Sequence, residues 1–275
     1  MRRLQIFFSR ISMVPGYLNV GQGPTVVILH SSLSSSGQWR DLIRRLQGRA
    51  QCLAMDLYGY GETPMPALEQ MQSFTLWHEV ALLETMLEQE QIKGALRLVG
   101  HSYGAAAALA FAQKHPERVE RLVLFEPVCF SILERGHAGL KDLESVLHVF
   151  DDASTASDPT AQARRFIEYW NGPGAFDAMP ERLQQLFTHQ VKKVDLDFQA
   201  LMHPTFTADA LAPLADRLTL LHGEQTRPSA RSLIEQLKYW LPGARVVNTP
   251  GGHMAPLTHE AAVNTQIEQW LHLND

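Results

Sequence analysis

The sequence has few of the residues and spacings that metal, redox or nucleic-acid chemistry requires. Its two cysteines, Cys52 and Cys129, lie far apart without a metal-binding or redox spacing, and we interpret both as buried thiols. None of the twelve histidines forms a metal-ligand pattern such as His-Glu-x-x-His, so we expect no catalytic metal. The net charge of −5 comes without a basic block, which argues against nucleic acid as the main partner.

Long apolar runs are also missing. No stretch approaches about 18 consecutive apolar residues, so we expect no membrane-spanning helix. Residues 1–8 are basic and then apolar, but this run is too short for the apolar core of a signal peptide, and a β-strand accounts for it better. A cytoplasmic location is our default expectation.

Apolar residues make up 45% of the 275 residues, which is enough for one large α/β domain with room for an insertion. Short apolar segments alternate with segments of helical spacing through most of the chain. Strands are expected within residues 4–20 and at 25–30, 51–56, 96–101, 122–125, 218–222 and 245–248. Helices are expected at 38–46, 74–91, 103–114, 229–240 and 258–273. This alternation predicts a parallel sheet with helices on both faces.

Residues 128–212 interrupt the alternation. Helical patterns without a convincing strand occur there at 131–135, 140–150, 161–170 and 180–191. The polar residues 151–158 are expected to form a short exposed loop. We therefore expect a core formed by residues 1–127 and 213–275, with residues 128–212 inserted into it as a helical unit.

The clearest chemical motif is the Gly-x-Ser-x-Gly pattern from Gly100 to Gly104. It lies between a short apolar strand and an alanine-rich helix, which is the context that a nucleophile elbow requires. In such a turn the serine backbone is strained, and small residues two positions before and after it let strand and helix approach closely. The hydroxyl of Ser102 would then lie at a helix N-terminus, where the helix dipole favours developing negative charge. We predict Ser102 as the nucleophile.

His253 is the best candidate for the base that Ser102 needs, because a serine hydroxyl is a poor nucleophile at its free pKa. This histidine follows an apolar strand and the turn Pro250-Gly251-Gly252, which would place its imidazole at the same edge of the sheet as Ser102. The other histidines near these strands in sequence are expected to be structural or bystanders: His101, His222 and His259.

Four segments together resemble the α/β-hydrolase superfamily: the strand and loop at His30, the loop after Asp56, the elbow at Ser102, and Gly251-Gly252-His253. The resemblance covers nearly the whole chain outside residues 128–212. It implies an α/β-hydrolase fold with a mostly parallel central sheet, helices on both faces and a helical lid inserted after the sixth strand, and residues 128–212 have the position and composition of that lid. It also implies a Ser–acid–His catalytic triad in that order along the chain.

The resemblance further implies an oxyanion hole made of two backbone N–H groups. One is expected from Tyr103, the residue after the nucleophile. The other is expected from the loop after the His30 strand, where many relatives have His-Gly and this chain has His30-Ser31-Ser32. Because the donor is a main-chain group, the missing glycine need not abolish it, and Ser32 is the favoured position.

The sequence leaves the acid of the triad open. The family's usual position is the last residue of a Gly-x-x-Asp turn, but Thr226 occupies it here, and threonine cannot stabilise an imidazolium as a carboxylate does. Glu126, at the carboxyl end of the strand after the elbow helix, is the favoured substitute, and some relatives carry their acid there. Glu224, two residues before the usual position, is the alternative, and a Ser–His dyad or another acid stays possible.

A serine at the elbow does not fit the branches of this superfamily that use an aspartate nucleophile, the haloalkane dehalogenases and epoxide hydrolases. It fits acyl transfer. The sequence therefore predicts a serine hydrolase that cleaves an ester, thioester, lactone or amide bond of a small, partly apolar molecule without a separate cofactor. Two alternatives stay open: hydrolysis of a carbon–carbon bond next to a ketone by the same triad, and a ligand-binding protein without turnover.

The lid segment supplies aromatic and methionine side chains that would form an apolar pocket with few polar anchors. The predicted substrate-binding residues are Tyr169, Trp170 and Phe176. The other candidate walls are Phe166, Met179 and Met202. No cluster of arginine or lysine in this segment would demand a carboxylate substrate.

Overall fold

The computed structural model describes residues 15–151 and 157–273. The first part of the strand pair expected over residues 4–20, and most of the polar loop expected at 151–158, lie outside these ranges. Within them the chain forms one central sheet with helices on both faces and a group of further helices inserted between two of the strands.

The sheet contains seven strands among the described residues. Their bounds are Tyr17–Val20 (β1), Thr25–Leu29 (β2), Gln51–Met55 (β3), Leu96–His101 (β4), Val119–Phe125 (β5), Leu218–Gly223 (β6) and Arg245–Thr249 (β7). They lie side by side in the order β1-β3-β2-β4-β5-β6-β7. Only β1 is antiparallel to its neighbour, and every other pairing is parallel. This arrangement confirms the mostly parallel sheet that the alternation predicted.

Burial on both faces explains the apolar character of the central strands. In β2, Val27 and Leu29 lie in the core on one face of the sheet, whereas Val26 and Ile28 lie in the core on the other face. Because the parallel strands all point the same way, their carboxyl ends meet at one edge. The loops that carry the candidate site residues leave the sheet at that edge.

Eleven helices are present in the described residues. In chain order they are α1 (Arg40–Leu46), α2 (Leu68–Met71), α3 (Leu76–Gln89), α4 (Tyr103–Lys114), α5 (Ala138–Asp151), α6 (Pro159–Asn171), α7 (Glu181–Met202), α8 (Ala208–Leu211), α9 (Pro228–Trp240), α10 (Ala255–Thr258) and α11 (Glu260–Leu271). The short α2 was not predicted. The single helix expected at 258–273 is two helices, because His259 between α10 and α11 has a non-helical backbone conformation.

Helices α5 to α8 form the insertion between β5 and β6. The helix α7 continues well beyond its predicted end at residue 191, because Val194, Phe198 and Leu201 extend its buried apolar face. The helix expected at 131–135 is only a 3-10 turn. Within the insertion α6 packs against α7, while α5 packs against α9 of the core and α7 reaches α4. The insertion follows the fifth strand of the described residues. This number does not include residues 1–14, which the structure does not describe.

Cys52 and Cys129 are free and buried. Burial raises the pKa of the Cys52 thiol to about 11, so this thiol stays protonated at neutral pH. No helix of the described residues combines the length and the apolar character that crossing a bilayer requires.

Candidate active site

The turn at Ser102 joins β4 directly to α4. The Ser102 backbone has φ 54° and ψ −118°, a strained conformation for a residue with a side chain, and its N–H donates to the Phe125 carbonyl at 2.9 Å. A Cβ atom on Gly100 would lie 2.5 Å from the Ala105 Cα, and one on Gly104 would lie 2.3 Å from the His30 carbonyl oxygen. Only glycine fits at both positions, which is why strand and helix can meet this closely.

Ser102, His253 and Glu126 form one continuous chain of hydrogen bonds. The Ser102 Oγ lies 2.9 Å from His253 Nε2, and His253 Nδ1 lies 2.7 Å from Glu126 Oε2. All three residues are buried, with exposures of 6%, 3% and 0% respectively. The arrangement gives a serine hydroxyl a neighbouring base, and gives that base a carboxylate on its far nitrogen.

Glu126 reaches His253 from a left-handed backbone conformation at the end of β5. Its φ is +42°, and its N–H donates to the Leu221 carbonyl at 2.9 Å. The carboxylate also accepts hydrogen bonds at Oε1 from the Gly223 N–H at 2.9 Å and from the Thr226 hydroxyl. Thr226 thus occupies the family's usual acid position and supports a carboxylate that arrives from the neighbouring strand. These bonds offset the cost of burying the charge.

Glu224, the alternative acid, and Asp56, the carboxylate after β3, lie elsewhere. Glu224 is exposed, and its backbone N–H donates to the Thr249 carbonyl at 2.8 Å. The structure therefore brings Glu126, and not Glu224, to the histidine. Asp56 accepts the backbone N–H groups of Ser36 at 2.6 Å and Glu62 at 3.0 Å, so it holds its own loops together.

The two residues expected to supply oxyanion donors, Tyr103 and Ser32, belong to the elbow and to the loop after β2. Tyr103 is the first residue of α4, where backbone N–H groups have no intrahelical acceptor. Ser32 lies in the loop after β2, and it lines two cavities together with Ser102. The next residue, Leu33, has a positive φ of 54°, which is uncommon for a side chain of this size.

His101 lies next to His253 and is not part of the hydrogen-bonded chain of Ser102, His253 and Glu126. Its Nδ1 accepts from the Gln38 side-chain amide at 3.0 Å, so its Nε2 carries the proton and donates to the His253 carbonyl at 2.8 Å. The Gln38 amide oxygen in turn accepts from both the N–H and the hydroxyl of Ser31 at 3.1 Å. Burial, together with the nearby His253, holds the pKa of His101 well below its ordinary value, so the ring stays neutral. This is the structural placement expected for His101.

Because His30 and His101 are buried and neutral, we expect the folded protein to lose stability in mild acid. Burial lowers the pKa of His30 to about 4, and that of His101 also lies far below its unfolded value. Below about pH 6.5 the unfolded chain binds protons at these rings that the folded protein does not, so the free energy of unfolding should fall as pH falls towards 4 by about 1.4 kcal/mol per pH unit for each ring. Urea unfolding between pH 7.5 and 4.5 measures the slope. A His101→Gln variant should have a shallower slope, and an unchanged slope would contradict this assignment.

An apolar cavity of about 160 Å³ opens beside Ser102 and His253. One wall consists of insertion residues: Phe166, Ile167, Trp170, Asn171, Met179 and Phe187. Met254 and Leu257 form part of the opposite wall. The lining contains no lysine, arginine, aspartate or glutamate among the described residues. A second, nearly filled cavity of about 10 Å³ continues past Ser102 into the space beneath α7.

The three predicted substrate-binding residues divide between the cavity and its surroundings. Trp170 lines the cavity, and its indole stacks on the His253 imidazole with the ring centroids 3.6 Å apart and the planes at 23°. Tyr169 does not line it, because its hydroxyl bonds to Ser229 at 2.6 Å on the core side of α6. Phe176 is buried under the Arg164 guanidinium, 4.9 Å from its ring centroid, and also lies outside the lining.

The other residues of the insertion that were named as candidate walls lie in different places. Phe166 and Met179 line the cavity as expected of candidate walls, whereas Met202 is exposed at the end of α7. The positions 166, 167, 170 and 171 share one helical face, and this spacing was the available signal for Ile167 and Asn171. Nothing local in the sequence indicated that Met254 and Leu257 face the same space. Among the described residues, no group of histidine, cysteine, aspartate or glutamate side chains has the arrangement to hold a metal ion.

A strand–serine–helix turn at the carboxyl edge of a mostly parallel sheet, with helices inserted above it, defines the class of protein. The chain belongs to the α/β-hydrolase fold family, whose model matches residues 24–260. This result confirms the resemblance inferred from the four sequence segments.

Among curated relatives, the 2-hydroxymuconate semialdehyde hydrolase of Pseudomonas sp. (strain CF600) is 30% identical over 219 residues, which cover 73% of this chain and 75% of that protein. The haloalkane dehalogenase of Agrobacterium fabrum is 36% identical over 112 residues, or 41% of this chain and 35% of that protein. Three further relatives also match over only part of their length, 34% to 39% of each protein.

Solved structures agree on the fold. A thermophilic esterase from Thermogutta terrifontis has a TM-score of 0.71 and 20% identity over 94% of this chain and 92% of that one. The 2-hydroxy-6-oxo-6-phenylhexa-2,4-dienoate hydrolase of Rhodococcus sp. strain RHA1 has a TM-score of 0.72 and 21% identity over 93% and 94% of the two chains. At these identities the likeness shows the fold alone.

Proposed function

We propose that this protein is a serine hydrolase that cleaves an ester-like bond (ester, thioester, lactone or amide) of a small, uncharged, partly apolar substrate. The observation that carries the proposal is the hydrogen-bonded chain from Ser102 through His253 to Glu126. A serine, a base and a carboxylate at these distances form the arrangement that makes a serine hydroxyl nucleophilic.

The reaction would begin with proton transfer from the Ser102 hydroxyl to His253 Nε2 while Oγ attacks the substrate carbonyl carbon. The carbonyl oxygen becomes an oxyanion, and the backbone N–H groups of Tyr103 and Ser32 would stabilise it. His253 then gives its proton to the departing alcohol, thiol or amine, and the acyl group stays on Ser102 as an ester.

Hydrolysis of this acyl-enzyme would use the same groups in the same roles. His253 takes a proton from a water molecule, which attacks the acyl carbon, and the proton returns to the Ser102 Oγ as the carboxylic acid leaves. In both halves Glu126 would hold the tautomer with the proton on Nδ1 and stabilise the imidazolium. The Trp170 indole, stacked on the imidazole, would help to hold the orientation of the His253 ring.

The cavity indicates a small substrate without charge. Its volume of about 160 Å³ is close to the ~150 Å³ of an engineered protein cavity that binds benzene. Its walls are mostly aliphatic and aromatic, their polar groups are those of serine, threonine, asparagine and the catalytic histidine, and no lysine, arginine, aspartate or glutamate of the described residues lines it. We propose residues 128–212 as the lid over the core formed by 1–127 and 213–275, because side chains of α6 and α7 complete the cavity wall.

Hydrolysis of a carbon–carbon bond is the second candidate. The relative with 75% coverage is named a 2-hydroxymuconate semialdehyde hydrolase, and another, 28% identical over 243 residues, a 2-hydroxy-6-oxo-2,4-heptadienoate hydrolase. A dienoate carries a carboxylate, and a cavity without lysine or arginine offers no partner for it. This absence favours an uncharged ester. The match to a dehalogenase carries less weight, since Ser102 replaces the carboxylate nucleophile that such a reaction needs.

Turnover of p-nitrophenyl esters of increasing acyl length tests the proposal. The acetate and butyrate should have kcat/KM at least about 10-fold above the decanoate, because the cavity cannot enclose the longer chain. A fluorophosphonate probe should label Ser102 in the folded protein. An unlabelled Ser102 would show a ligand-binding protein without serine chemistry, and faster cleavage of a 2-hydroxy-6-oxo-dienoate than of every ester would favour the carbon–carbon reaction.

A further inference from the structure

A buried cluster of charged side chains joins the lid helix α7 to the core. Lys193 and Asp197 on α7 and Glu79 on α3 are each at most 1% exposed. The Lys193 ammonium donates to Glu79 Oε1 at 3.2 Å and to Asp197 Oδ1. It also lies over the rings of Tyr103 and Tyr60, 4.5 and 5.1 Å from their centroids. None of these charges belongs to the Ser102–His253–Glu126 chain.

One end of this cluster holds the loop that contains Ser32. The Ser32 hydroxyl donates to Asp197 Oδ2 at 2.6 Å, and the Tyr60 hydroxyl donates to the same oxygen at 2.6 Å. Asp197 thus restrains Ser32 directly, and it borders the inner cavity beside Ser102.

The other end of the cluster holds Tyr103. The Tyr103 hydroxyl donates to Glu79 Oε1 at 2.9 Å and lies 3.5 Å from the Lys193 ammonium. Glu79 Oε2 also accepts the Tyr58 backbone N–H at 3.2 Å. The same buried cluster therefore contacts the side chains of both residues whose backbone N–H groups are the proposed oxyanion donors.

The loop conformation needs such support. Leu33 has a positive φ, and strained backbone of this kind persists only where the surroundings hold it in place. Ser32 is half-buried, and its hydroxyl bond to Asp197 joins positions 165 residues apart in sequence. The loop after β2 is thus fastened by a residue of the lid.

We propose that Asp197 is a positioning residue for the oxyanion hole, so that the Ser32 N–H reaches its working position only when α7 is seated on the core. Asp197 does not touch the reacting atoms in this scheme and acts through the Ser32 hydroxyl. Lys193 and Glu79 keep the carboxylate in place from the other side. The inference rests on the proposed serine hydrolase function, and it adds a coupling between lid docking and transition-state stabilisation.

Four variants separate positioning from simple structural support. Asp197→Leu removes the acceptor at similar volume and leaves Lys193 and Glu79 as a balanced pair. Asp197→Asn keeps an oxygen that can accept from the Ser32 hydroxyl. Ser32→Ala removes that hydroxyl and keeps the backbone N–H. Asp195→Asn is the matched control, because it makes the same chemical change at an exposed position of the same helix.

With p-nitrophenyl acetate, kcat should fall by roughly 10- to 100-fold in Asp197→Leu and by about 10-fold in Ser32→Ala. KM should change less than about twofold in both variants, because a misplaced oxyanion donor weakens stabilisation of the transition state and not substrate binding. Asp197→Asn should recover most of the activity, and Asp195→Asn should match wild type. The double variant Ser32→Ala/Asp197→Leu should lose no more than Asp197→Leu alone, because both changes break one contact.

A trifluoromethyl ketone inhibitor supplies the decisive second readout, because its adduct with Ser102 carries an oxyanion. Its Ki should rise by the same factor by which kcat/KM falls in each variant. Wild-type kcat and Ki in Ser32→Ala, a small change that any fold should tolerate, would overturn the inference while leaving the serine hydrolase intact. So would an Asp197→Leu variant that loses only thermal stability. A wild-type protein with neither esterase turnover nor fluorophosphonate labelling would overturn both.

Discussion

Replacing Glu126 with glutamine is expected to lower kcat for p-nitrophenyl acetate by roughly 10³-fold with little change in KM. The Glu126 carboxylate lies 2.7 Å from His253 Nδ1 and accepts two further hydrogen bonds at its other oxygen. An amide in its place cannot stabilise an imidazolium, and an amide nitrogen aimed at Nδ1 would hold the wrong tautomer. Steady-state kinetics with circular dichroism as a folding check measures the effect.

Glu224→Gln is the matched control for this experiment. It makes the same change in the other glutamate near the usual acid position, but Glu224 is exposed and does not contact His253. Full activity is expected. Activity retained by Glu126→Gln and lost by Glu224→Gln would overturn the assignment of the acid, and activity retained by both variants would remove the acid from the mechanism.

Ser102→Ala should abolish ester hydrolysis, with a loss of kcat on the order of 10³-fold or more, because no other group can form the acyl-enzyme. The protein should remain folded, since alanine keeps the Cβ atom and loses only the hydroxyl bond to His253. The exposed Ser73→Ala is the matched serine control and should have wild-type kinetics. Comparable residual activity in the two variants would show that hydrolysis takes place at another residue.

The elbow was predictable because its signals are local. A short apolar strand, two glycines around one serine and an alanine-rich helix lie within one continuous stretch, and the close contacts at Gly100 and Gly104 explain why no other residue fits there. His253 was placed by the same kind of argument, since a strand followed by a glycine turn carries its last residues to the edge of the sheet. The order of strands and helices also followed from alternation alone.

The acid could be named only as a preference, because its contact with the histidine depends on the sheet order. Glu126 follows β5 and approaches His253 across the end of β6, where Gly223 of that strand and Thr226 of the turn after it both donate hydrogen bonds to its carboxylate. Strand neighbours are long-range facts that a single sequence does not state. The role of Thr226 as a hydrogen-bond donor to a carboxylate from the next strand was invisible for the same reason.

The insertion between β5 and β6 was the least predictable part. Whether an aromatic residue of a helix lines a cavity depends on which face docks, and Tyr169 and Phe176 turned to the core and to Arg164 instead. The buried face of α7 also carries Lys193 and Asp197, and charges four residues apart usually indicate a solvated helix face. Their burial depends on partners from α3 and from the β2 loop, which no pattern within α7 reveals.

In the proposed reaction Ser102 carries the acyl group. A slowly hydrolysed aryl carbamate tests it directly, because its carbamoyl group stays on the nucleophile long enough for peptide mass spectrometry. We expect one carbamoyl group per chain on the peptide that contains Ser102, with esterase activity lost in proportion to the label and slower labelling of Glu126→Gln. Complete inhibition with the label on another residue, or full esterase activity with Ser102 fully carbamoylated, would show that Ser102 is not the nucleophile.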